Sequence, residues 1–361
     1  MINLFPLFLI TAAAAFLIST VSTKFVIVFY HRLGWLDDPK KNHHPKVVHR
    51  RPIPRGGGIP IFLALLLIGF PLFGLDKHFL GIATGAGILT IVGILDDRLD
   101  LNPYLRLFTG LAAALCVVAV GIGIAYITNP VIPGTVINLN QPQLAFELLG
   151  KTRTIWLVAD LFATIWILWT MNIVNWSKGV DGQMPGFVVV AALVLGLLSL
   201  RFSTDIAQWN VSKLAAITAG AYLGFLVWNF YPQKIMPGYG GGSLAGYLLA
   251  TLSILSGAKV AALVLVLGIP MTDALYTIAR RLYRGRSPVW GDRGHLHHRL
   301  LDLGWGKRRI AVFYWSVTAL LGVIMLHLNS TQKLFTILAT ALILGGLLLW
   351  LKILRQTTRN L

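Results

Sequence analysis

The sequence predicts an all-α fold, a polytopic membrane bundle of ten or eleven transmembrane helices. Three observations lead to this prediction. Hydrophobic residues make up 56% of the 361-residue chain and charged residues only 12%, a balance outside the usual range of soluble domains. The mean hydropathy is +0.73. Apolar segments close to the roughly 20 residues that cross a bilayer recur along the whole chain.

Eleven apolar segments can be drawn as spans, and ten is the alternative count because several are short or are interrupted by Gly or Pro. In order, they lie near residues 5–30, 59–75, 79–95, 107–128, 155–173, 186–200, 214–231, 243–257, 258–280, 310–328 and 334–352. The first is interpreted as a retained span, since the chain begins without the basic region of a signal peptide. The connections are too short to fold alone, so residues 1–361 are expected to form a single integral-membrane domain.

Lys and Arg residues are concentrated in alternate connections. One set of connections contains 23 of them and the opposite set contains 7, so the positive-inside rule predicts that the richer set is cytoplasmic. The amino terminus is therefore expected outside and the carboxyl terminus inside. The cytoplasmic set consists of residues 31–58, 96–106, 172–185, 232–242, 280–309 and 352–361.

The net charge of +18 follows mostly from this bias, which also attracts anionic membrane lipids and anionic substrates. It does not indicate nucleic-acid binding. Cys116 is the single cysteine and lies within a span. Internal disulfides and a zinc site built from cysteines are therefore excluded.

Asp96 and Asp97 lie where the third span reaches the cytoplasm. Adjacent carboxylates repel each other unless a cation or a proton-acceptor role compensates. One interpretation is a hard divalent cation, Mg²⁺ with Mn²⁺ as the alternative, bound through oxygen and shared with substrate phosphates. The other is a solvated helix end beside Arg98, and the pair alone does not decide between them.

Asn172 and Asn175 share one helix face at the inner end of the fifth span. Lys178 and the turn Gly179-Val180-Asp181-Gly182 follow. Backbone amides in such a turn can meet a phosphate or a nucleoside. The functional interpretation is favoured over a plain turn between spans, because a plain turn rarely needs two Asn and an Asp at this depth.

A glycine run, Gly238-Tyr239-Gly240-Gly241-Gly242-Ser243, is expected to form a connector before a helix that begins at Ser243. Missing side chains and positive φ angles would let its backbone approach a phosphate, and the helix dipole would add to the attraction. A flexible connector is an equally valid interpretation of the run by itself.

The loop at 280–309 combines Arg280 and Arg281 with the run His295-Leu296-His297-His298. Guanidinium and imidazole groups can form an anion cradle, and Arg holds phosphate oxygens bidentately. Zinc is the alternative for the His cluster, but the carboxylates elsewhere favour an oxygen-bound metal.

Two further carboxylates lie inside spans, where ionisable groups are candidates for function. Asp273, near the inner end of the ninth span, is expected to reach the site or to fix an Arg. Asp160, in the outer half of the fifth span, is expected to have a structural partner.

Together these residues resemble the polyprenyl-phosphate N-acetylhexosamine-1-phosphate transferases of glycosyltransferase family 4, which are polytopic phosphoglycosyltransferases of bacterial cell-envelope synthesis. The resemblance runs from about residue 33 to residue 310. It is carried by motifs in a fixed order, Leu33-Gly-Trp-Leu-Asp37-Asp38-Pro39, Arg51-Pro-Ile-Pro54-Arg55-Gly-Gly-Gly58, Asp96-Asp97, Asn172-x-x-Asn175, Gly179-x-Asp181-Gly182, Asn229-x-x-Pro232, Pro270-x-x-Asp273, Arg280-Arg281 and His295-x-His297-His298.

The resemblance implies an enzyme of the bacterial inner membrane with a cytoplasmic active site and Mg²⁺ as cofactor. It would transfer a sugar 1-phosphate from a UDP-sugar to undecaprenyl phosphate and release UMP, the first membrane step of a cell-envelope glycan. The His-x-His-His pattern is similar to the branch that uses UDP-N-acetylglucosamine, and a homodimer is compatible with the resemblance.

Roles follow from matching positions. Asp96 would activate the lipid phosphate or hold the metal, and Asp97 would support it. Asn172, Asn175, Asp181 and Asn229 would contact the nucleotide or order the site. The residues expected to hold the sugar and the pyrophosphate are Arg280, Arg281, His295, His297 and His298, and Lys178 is added as a substrate-binding residue of this chain.

Two carboxylates of the family are altered here. In the family pattern Asp-Gly-x-Asp-Gly, the position of the first Asp is occupied by Lys178 in this chain. The Asp that binds metal in the family is missing from the run at 238–243. A third difference is Arg106, which stands where Lys is usual. Either the metal has fewer protein ligands, or Lys178 replaces part of its charge, or the chemistry is lost. The last case is the alternative function, a non-catalytic relative that binds polyprenyl phosphate or a nucleotide sugar. A transporter is less favoured, because transporters place polar residues near the bilayer midplane.

Cysteines introduced at Lys46 and Arg286 test the predicted topology. Since both loops are expected in the cytoplasm, an impermeant thiol reagent added to intact cells should label neither Lys46→Cys nor Arg286→Cys. Efficient labelling at either position would show that the orientation is reversed.

Overall fold

The computed structural model describes residues 4–41, 48–132, 134–148, 150–200, 206–256, 260–287 and 293–357. Parts of the two basic loops, residues 42–47 and 288–292, lie outside the described residues. The described residues form thirteen helices and six short strands. The helices are α1 (Leu4–Leu33), α2 (Gly58–Phe73), α3 (Lys77–Leu99), α4 (Pro103–Ala119), α5 (Leu157–Trp176), α6 (Gln183–Leu200), α7 (Ile206–Asn229), α8 (Gly238–Leu255), α9 (Val260–Val266), α10 (Gly268–Tyr283), α11 (Leu296–Asp302), α12 (Lys307–His327) and α13 (Ser330–Thr357).

Each predicted span contains one helix, except that the ninth contains the pair α9 and α10, which is bent by 83°. Within the described residues, seven helices are long and apolar enough to cross a membrane, or eight spans if that pair counts as one. α2 and α4 are apolar but shorter, with 16 and 17 residues. The prediction of a polytopic helical membrane bundle is confirmed, and the orientation of its termini stays a prediction.

The all-α prediction did not include three small antiparallel sheets of two strands each. Four of the six described strands have only two or three residues, too few for a two-residue period to stand out in the sequence. The other two have six residues each, but their sequences do not alternate between apolar and polar residues. They pair as β1 (Leu36–Asp37) with β2 (Ile53–Pro54), β3 (Tyr126–Thr128) with β4 (Val136–Asn138), and β5 (Gln143–Leu148) with β6 (Lys151–Trp156).

The last two of these sheets lie between α4 and α5. α4 ends at Ala119 rather than near residue 128, because Gly121 turns the chain with a φ of +94°. The connection that the sequence predicted at this end of the bundle is therefore longer and contains two hairpins.

α8 lies at the centre of the bundle. Every residue from Gly238 to Ile254 is buried, and α3 and α5 pack along this helix. Small residues make the packing close, since a Cβ atom at Gly246 would overlap the α5 backbone at Met171. Membrane helices approach each other most closely at such positions.

The glycine run differs from its prediction, because α8 begins at Gly238 and contains the run as its first turns. Only Gly238 has a positive φ, of 64°. Glycine costs a helix about 1 kcal/mol per residue relative to Ala, but here it permits backbone contact between helices. A Cβ at Gly93 would lie 2.6 Å from the Cα of Gly240, and a Cβ at Gly241 would lie 3.1 Å from the carbonyl carbon of Gly57.

Helices also extend into the other predicted cytoplasmic loops. α3 continues to Leu99 and ends at Asp100, whose φ of 46° is left-handed. Asn102 then caps α4 by accepting a hydrogen bond of 2.9 Å from the amide of Tyr104. The loop expected at 96–106 is reduced to three residues, so Asp96 and Asp97 stand on a helix.

Substitution of Gly93 by Ala should destabilise the protein, because the new methyl group would meet the Gly240 backbone. Overpacking of this kind costs about 1–3 kcal/mol. Gly87→Ala is the matched control in the same helix, since its Cβ would lie 3.4 Å from the ring of Phe62 and Ala favours the helix. Thermal unfolding in detergent should show a lower midpoint for Gly93→Ala alone. Equal midpoints for the two variants would contradict the packing account.

Candidate functional site

The side chain of Asp96 is fully buried at the end of α3. One carboxylate oxygen, Oδ1, accepts a hydrogen bond of 3.1 Å from the amide of Leu101 and lies 2.6 Å from Nε of Arg106. The other, Oδ2, lies 4.0 Å from Nη2 of Arg55. Asp96 therefore joins the start of α4 and the segment before α2 to the end of α3.

Asp97 lies beside it with a different set of neighbours. Its Oδ2 accepts a hydrogen bond of 3.1 Å from the hydroxyl of Tyr30. Its Oδ1 faces the start of α8, where a Cβ at Gly238 would lie 2.8 Å away. Two residues that the sequence analysis gave no role, Tyr30 and Arg55, thus contact the carboxylate pair. A tyrosine within an apolar span carries no sequence signal for such a contact.

Oδ2 of Asp96 and Oδ1 of Asp97 are buried without a hydrogen-bond donor among the described residues. A buried carboxylate oxygen is costly unless a cation or a donor compensates. Mg²⁺ is commonly held by one or two carboxylates together with water and substrate phosphates, and these two oxygens fit that donor set. In the described part of the chain, no group of three His, Cys, Asp or Glu residues is arranged for a metal.

Lys178 is a third basic side chain near Asp96 and Asp97, after Arg55 and Arg106. Its ammonium group donates to Oδ1 of Asn175 at 2.6 Å and to the carbonyl of Gly238. Burial lowers the pKa of Lys178 from 10.5 to about 7, the charge of Arg55 acts in the same direction, and Asp96 opposes both. Three cationic side chains, of Arg55, Arg106 and Lys178, therefore surround two carboxylates.

We call these five residues (Arg55, Asp96, Asp97, Arg106 and Lys178) the carboxylate cluster. A recess of about 150 Å³ lies beside it, lined by residues of α2, α3 and α8 that include Asp97 and Gly240. Part of this volume is open to solvent, and no enclosed space large enough for a water molecule remains among the described residues that line it. The recess by itself does not accommodate a nucleotide sugar.

Asp181 and Asn229 connect the loops around the site. Asp181 accepts a hydrogen bond of 2.7 Å from Lys307 at the start of α12 and one of 3.2 Å from the amide of Gln233. Asn229 accepts from the amide of Gly182 at 3.0 Å and donates to the carbonyl of Ile235 at 2.8 Å. Of their two expected roles, contact with a nucleotide or ordering of the site, these bonds favour the second.

Asn172 and Asn175 also differ in their contacts. The amide of Asn172 donates to the carbonyl of Leu168, one turn earlier in α5, at 2.8 Å. Asn175 accepts from Lys178 and so belongs to the surroundings of the carboxylate cluster.

The three histidines are buried in one group at the start of α11. The rings of His295 and His297 are parallel, with centroids 5.7 Å apart, and those of His297 and His298 are 4.3 Å apart. Asp273 accepts a hydrogen bond from the amide of Leu296 at 2.8 Å, and its second oxygen lies 2.8 Å from Nδ1 of His295. Asp273 thus reaches the site by holding His295, which is one of the two roles expected from the sequence, and the other, fixing an Arg, stays a prediction.

The two expected arginines lie next to these rings. The guanidinium of Arg281 is 5.6 Å from the ring centroid of Trp176, which is 6.2 Å from the ring of His295. Arg280 lies against Gly294, where a Cβ would overlap its guanidinium. We call Trp176, Arg280, Arg281 and the three histidines the histidine group.

The dipeptide Lys178-Gly179 connects the two groups. Lys178 belongs to the carboxylate cluster, and a Cβ at Gly179 would overlap the ring of His297 at Nε2. Residues more than 100 positions apart in the chain are therefore neighbours on both sides of one short turn. Such an arrangement can bind a polyanion along its length, with guanidinium and ammonium groups at one end and imidazole and guanidinium groups at the other.

Comparison with known proteins gives a consistent result. A family model described as glycosyl transferase family 4 matches residues 79–257. A probable undecaprenyl-phosphate N-acetylglucosaminyl 1-phosphate transferase of Bacillus subtilis (strain 168) is 25% identical over 366 residues, which cover 99% of this chain and 93% of that protein.

Two further relatives have related names. A decaprenyl-phosphate N-acetylglucosaminephosphotransferase of Mycobacterium leprae (strain TN) is 26% identical, with 95% of this chain and 89% of the relative covered. A phospho-N-acetylmuramoyl-pentapeptide-transferase of Bacillus mycoides (strain KBAB4) is 28% identical, with 89% and 97% covered.

Proposed function

The chain belongs to glycosyl transferase family 4 and is a membrane phosphosugar transferase, and from this premise we propose that it transfers N-acetylglucosamine 1-phosphate from a UDP donor to undecaprenyl phosphate and releases UMP. The observation that carries the proposal is the contact between the carboxylate cluster and the histidine group at Lys178-Gly179. The names of two relatives, which specify a polyprenyl phosphate and N-acetylglucosamine, support the choice of substrates.

The site would lie at the cytoplasmic face of a bacterial inner membrane. The 23-to-7 distribution of Lys and Arg supports this placement, as does the position of both groups at the helix ends that this distribution assigns to the cytoplasm. A nucleotide donor from the cytoplasm and a lipid acceptor from the inner leaflet could both reach such a site.

In the proposed step, an oxygen of the acceptor phosphate forms a bond to the β-phosphorus of the donor. The bond between that phosphorus and the bridging oxygen breaks, and its electron pair leaves with UMP. A phosphate monoester is already mostly anionic near neutral pH, so the acceptor needs little help in losing a proton. The main obstacle is repulsion between the acceptor phosphate and the diphosphate.

The side chains of the carboxylate cluster would reduce this repulsion. Arg55 and Arg106 offer fixed positive charges beside Asp96, and preorganised charges of this kind stabilise the transition state of phosphoryl transfer. Asp96 and Asp97 would hold Mg²⁺, with Mn²⁺ as the alternative, through the two oxygens that lack donors. Bound there, the metal would screen the charge of the diphosphate.

Lys178 would add a further cation to the same place. Because its pKa is lowered to about 7, an arriving phosphate would draw it toward the ammonium form. A compact ammonium on a flexible stem suits a phosphate oxygen. Arg280, Arg281 and the three histidines would hold the pyrophosphate and the sugar on the far side of Gly179.

The alternative is a non-catalytic relative that binds polyprenyl phosphate or a nucleotide sugar. The position of Lys178 near Asp96 and Asp97 is the observation that favours it, because an ammonium there weakens the attraction of these carboxylates for a metal.

A UMP-release assay tests the proposal. The protein in detergent, given UDP-N-acetylglucosamine and undecaprenyl phosphate, should release UMP with only a weak dependence on Mg²⁺, because Lys178 replaces part of the charge of the metal. Lys178→Ala should lower turnover by about 10²–10³-fold, as expected for loss of one electrostatic contact to the transition state. Lys178→Asp should not restore the turnover, because the second family Asp would still be missing from the run at 238–243.

Lys234→Ala is the control, since Lys234 is exposed at the same end of the bundle and its ammonium lies 5.0 Å from the ring centroid of Trp228. Its turnover should stay unchanged. No UMP from any UDP-sugar would establish the non-catalytic alternative. Strict Mg²⁺ dependence with unaltered turnover in Lys178→Ala would leave the transferase but remove the role of Lys178.

A further inference from the structure

We propose that Asp273 is a positioning residue that fixes the tautomer of His295, so that Nε2 of His295 accepts a hydrogen bond from the sugar of the donor. The proposal rests on the proposed function for the identity of the donor. It concerns a carboxylate on α10 that lies outside the carboxylate cluster and has no part in the transfer step described above.

The geometry of the pair defines the tautomer. Asp273 and His295 have exposed fractions of only 2% and 5%, and Oδ2 of Asp273 lies 2.8 Å from Nδ1 of His295. An ionised carboxylate can only accept hydrogen bonds, so Nδ1 must carry the proton. In the neutral imidazole, Nε2 is then an acceptor.

Both oxygens of Asp273 are in use. While Oδ2 accepts from His295, Oδ1 accepts from the amide of Leu296 at 2.8 Å. The carboxylate therefore fixes the ring of His295 and the start of α11 at the same time. An asparagine in this position has only one oxygen and cannot accept from both groups.

The position of the ring decides what it can recognise. It lies between Trp176, at a centroid distance of 6.2 Å, and the parallel ring of His297, at 5.7 Å. His297 in turn contacts the turn at Gly179 that carries Lys178. Since the cations near Lys178 attract the phosphates, the neighbouring acceptor suits the hydroxyl or acetamido N–H groups of a sugar joined to them.

Asp273→Asn separates a tautomer effect from a structural one. The amide side chain keeps the shape and can still accept from Leu296, but it then offers an N–H to His295. The ring would shift its proton to Nε2 and present a donor to the sugar. A variant that merely loosened α11 would weaken the binding of every nucleotide alike.

The experiment compares the affinity of the full-length protein in detergent for UDP-N-acetylglucosamine and for UDP by calorimetry. Asp273→Asn should weaken the binding of the sugar nucleotide by about tenfold or more, the value of one lost hydrogen bond, and leave UDP binding unchanged. His295→Phe should cause the same selective loss, and adding Asp273→Asn to it should cause no more. Asp160→Asn is the control, because Asp160 accepts from the Trp156 amide at the start of α5.

Equal weakening of both ligands, or weakening of neither, would overturn the proposal, and so would a wild-type protein with the same affinity for UDP and UDP-N-acetylglucosamine. If Asp273→Asn does not fold, the ¹⁵N spectrum of the His295 ring in the wild-type protein decides the outcome, since a proton on Nδ1 supports the proposal and a proton on Nε2 overturns it. Failure of the proposed function is a separate result, since it appears as absence of UMP release while the binding comparison is still measurable.

Discussion

The repulsion between the adjacent carboxylates of Asp96 and Asp97 is the constraint on which the rest of the site depends. Asp96 is buried and Asp97 is half-buried at the end of α3, each with one carboxylate oxygen hidden from solvent, and two uncompensated charges there would cost several kcal/mol. Arg55, Arg106 and Lys178 supply the compensation, and each comes from a different part of the chain. The segment before α2, the start of α4 and the turn after α5 are therefore held to one helix end by electrostatics.

Close packing of helix backbones makes this arrangement possible. Glycines at the crossing of α3 with α8, Gly93 and Gly240, allow the start of α8 to approach Asp97. The carbonyl of Gly238 then accepts from Lys178, so a backbone group fixes the ammonium beside the carboxylates. A helix beginning where a loop was expected is thus the element that positions the cation.

The sequence predicted the spans and the polar clusters, because apolar length and charge bias are local properties. It did not predict that α8 starts at Gly238, since low helix propensity was overridden by packing against α2 and α3. Contacts that depend on the fold, such as Tyr30 with Asp97 and Asp273 with His295, join residues far apart in the chain. Spacing alone could place Asp273 near the site but could not identify its partner.

A structure of the protein with UDP-N-acetylglucosamine bound would test the central claim most directly, which is that the carboxylate cluster and the histidine group form one site. The account predicts a phosphate oxygen about 3 Å from Nζ of Lys178 and the sugar beside His295. A diphosphate bound instead at Lys307 and Arg308, where the two cations flank the ring of Tyr231, with the histidine group not in contact with the ligand, would contradict it.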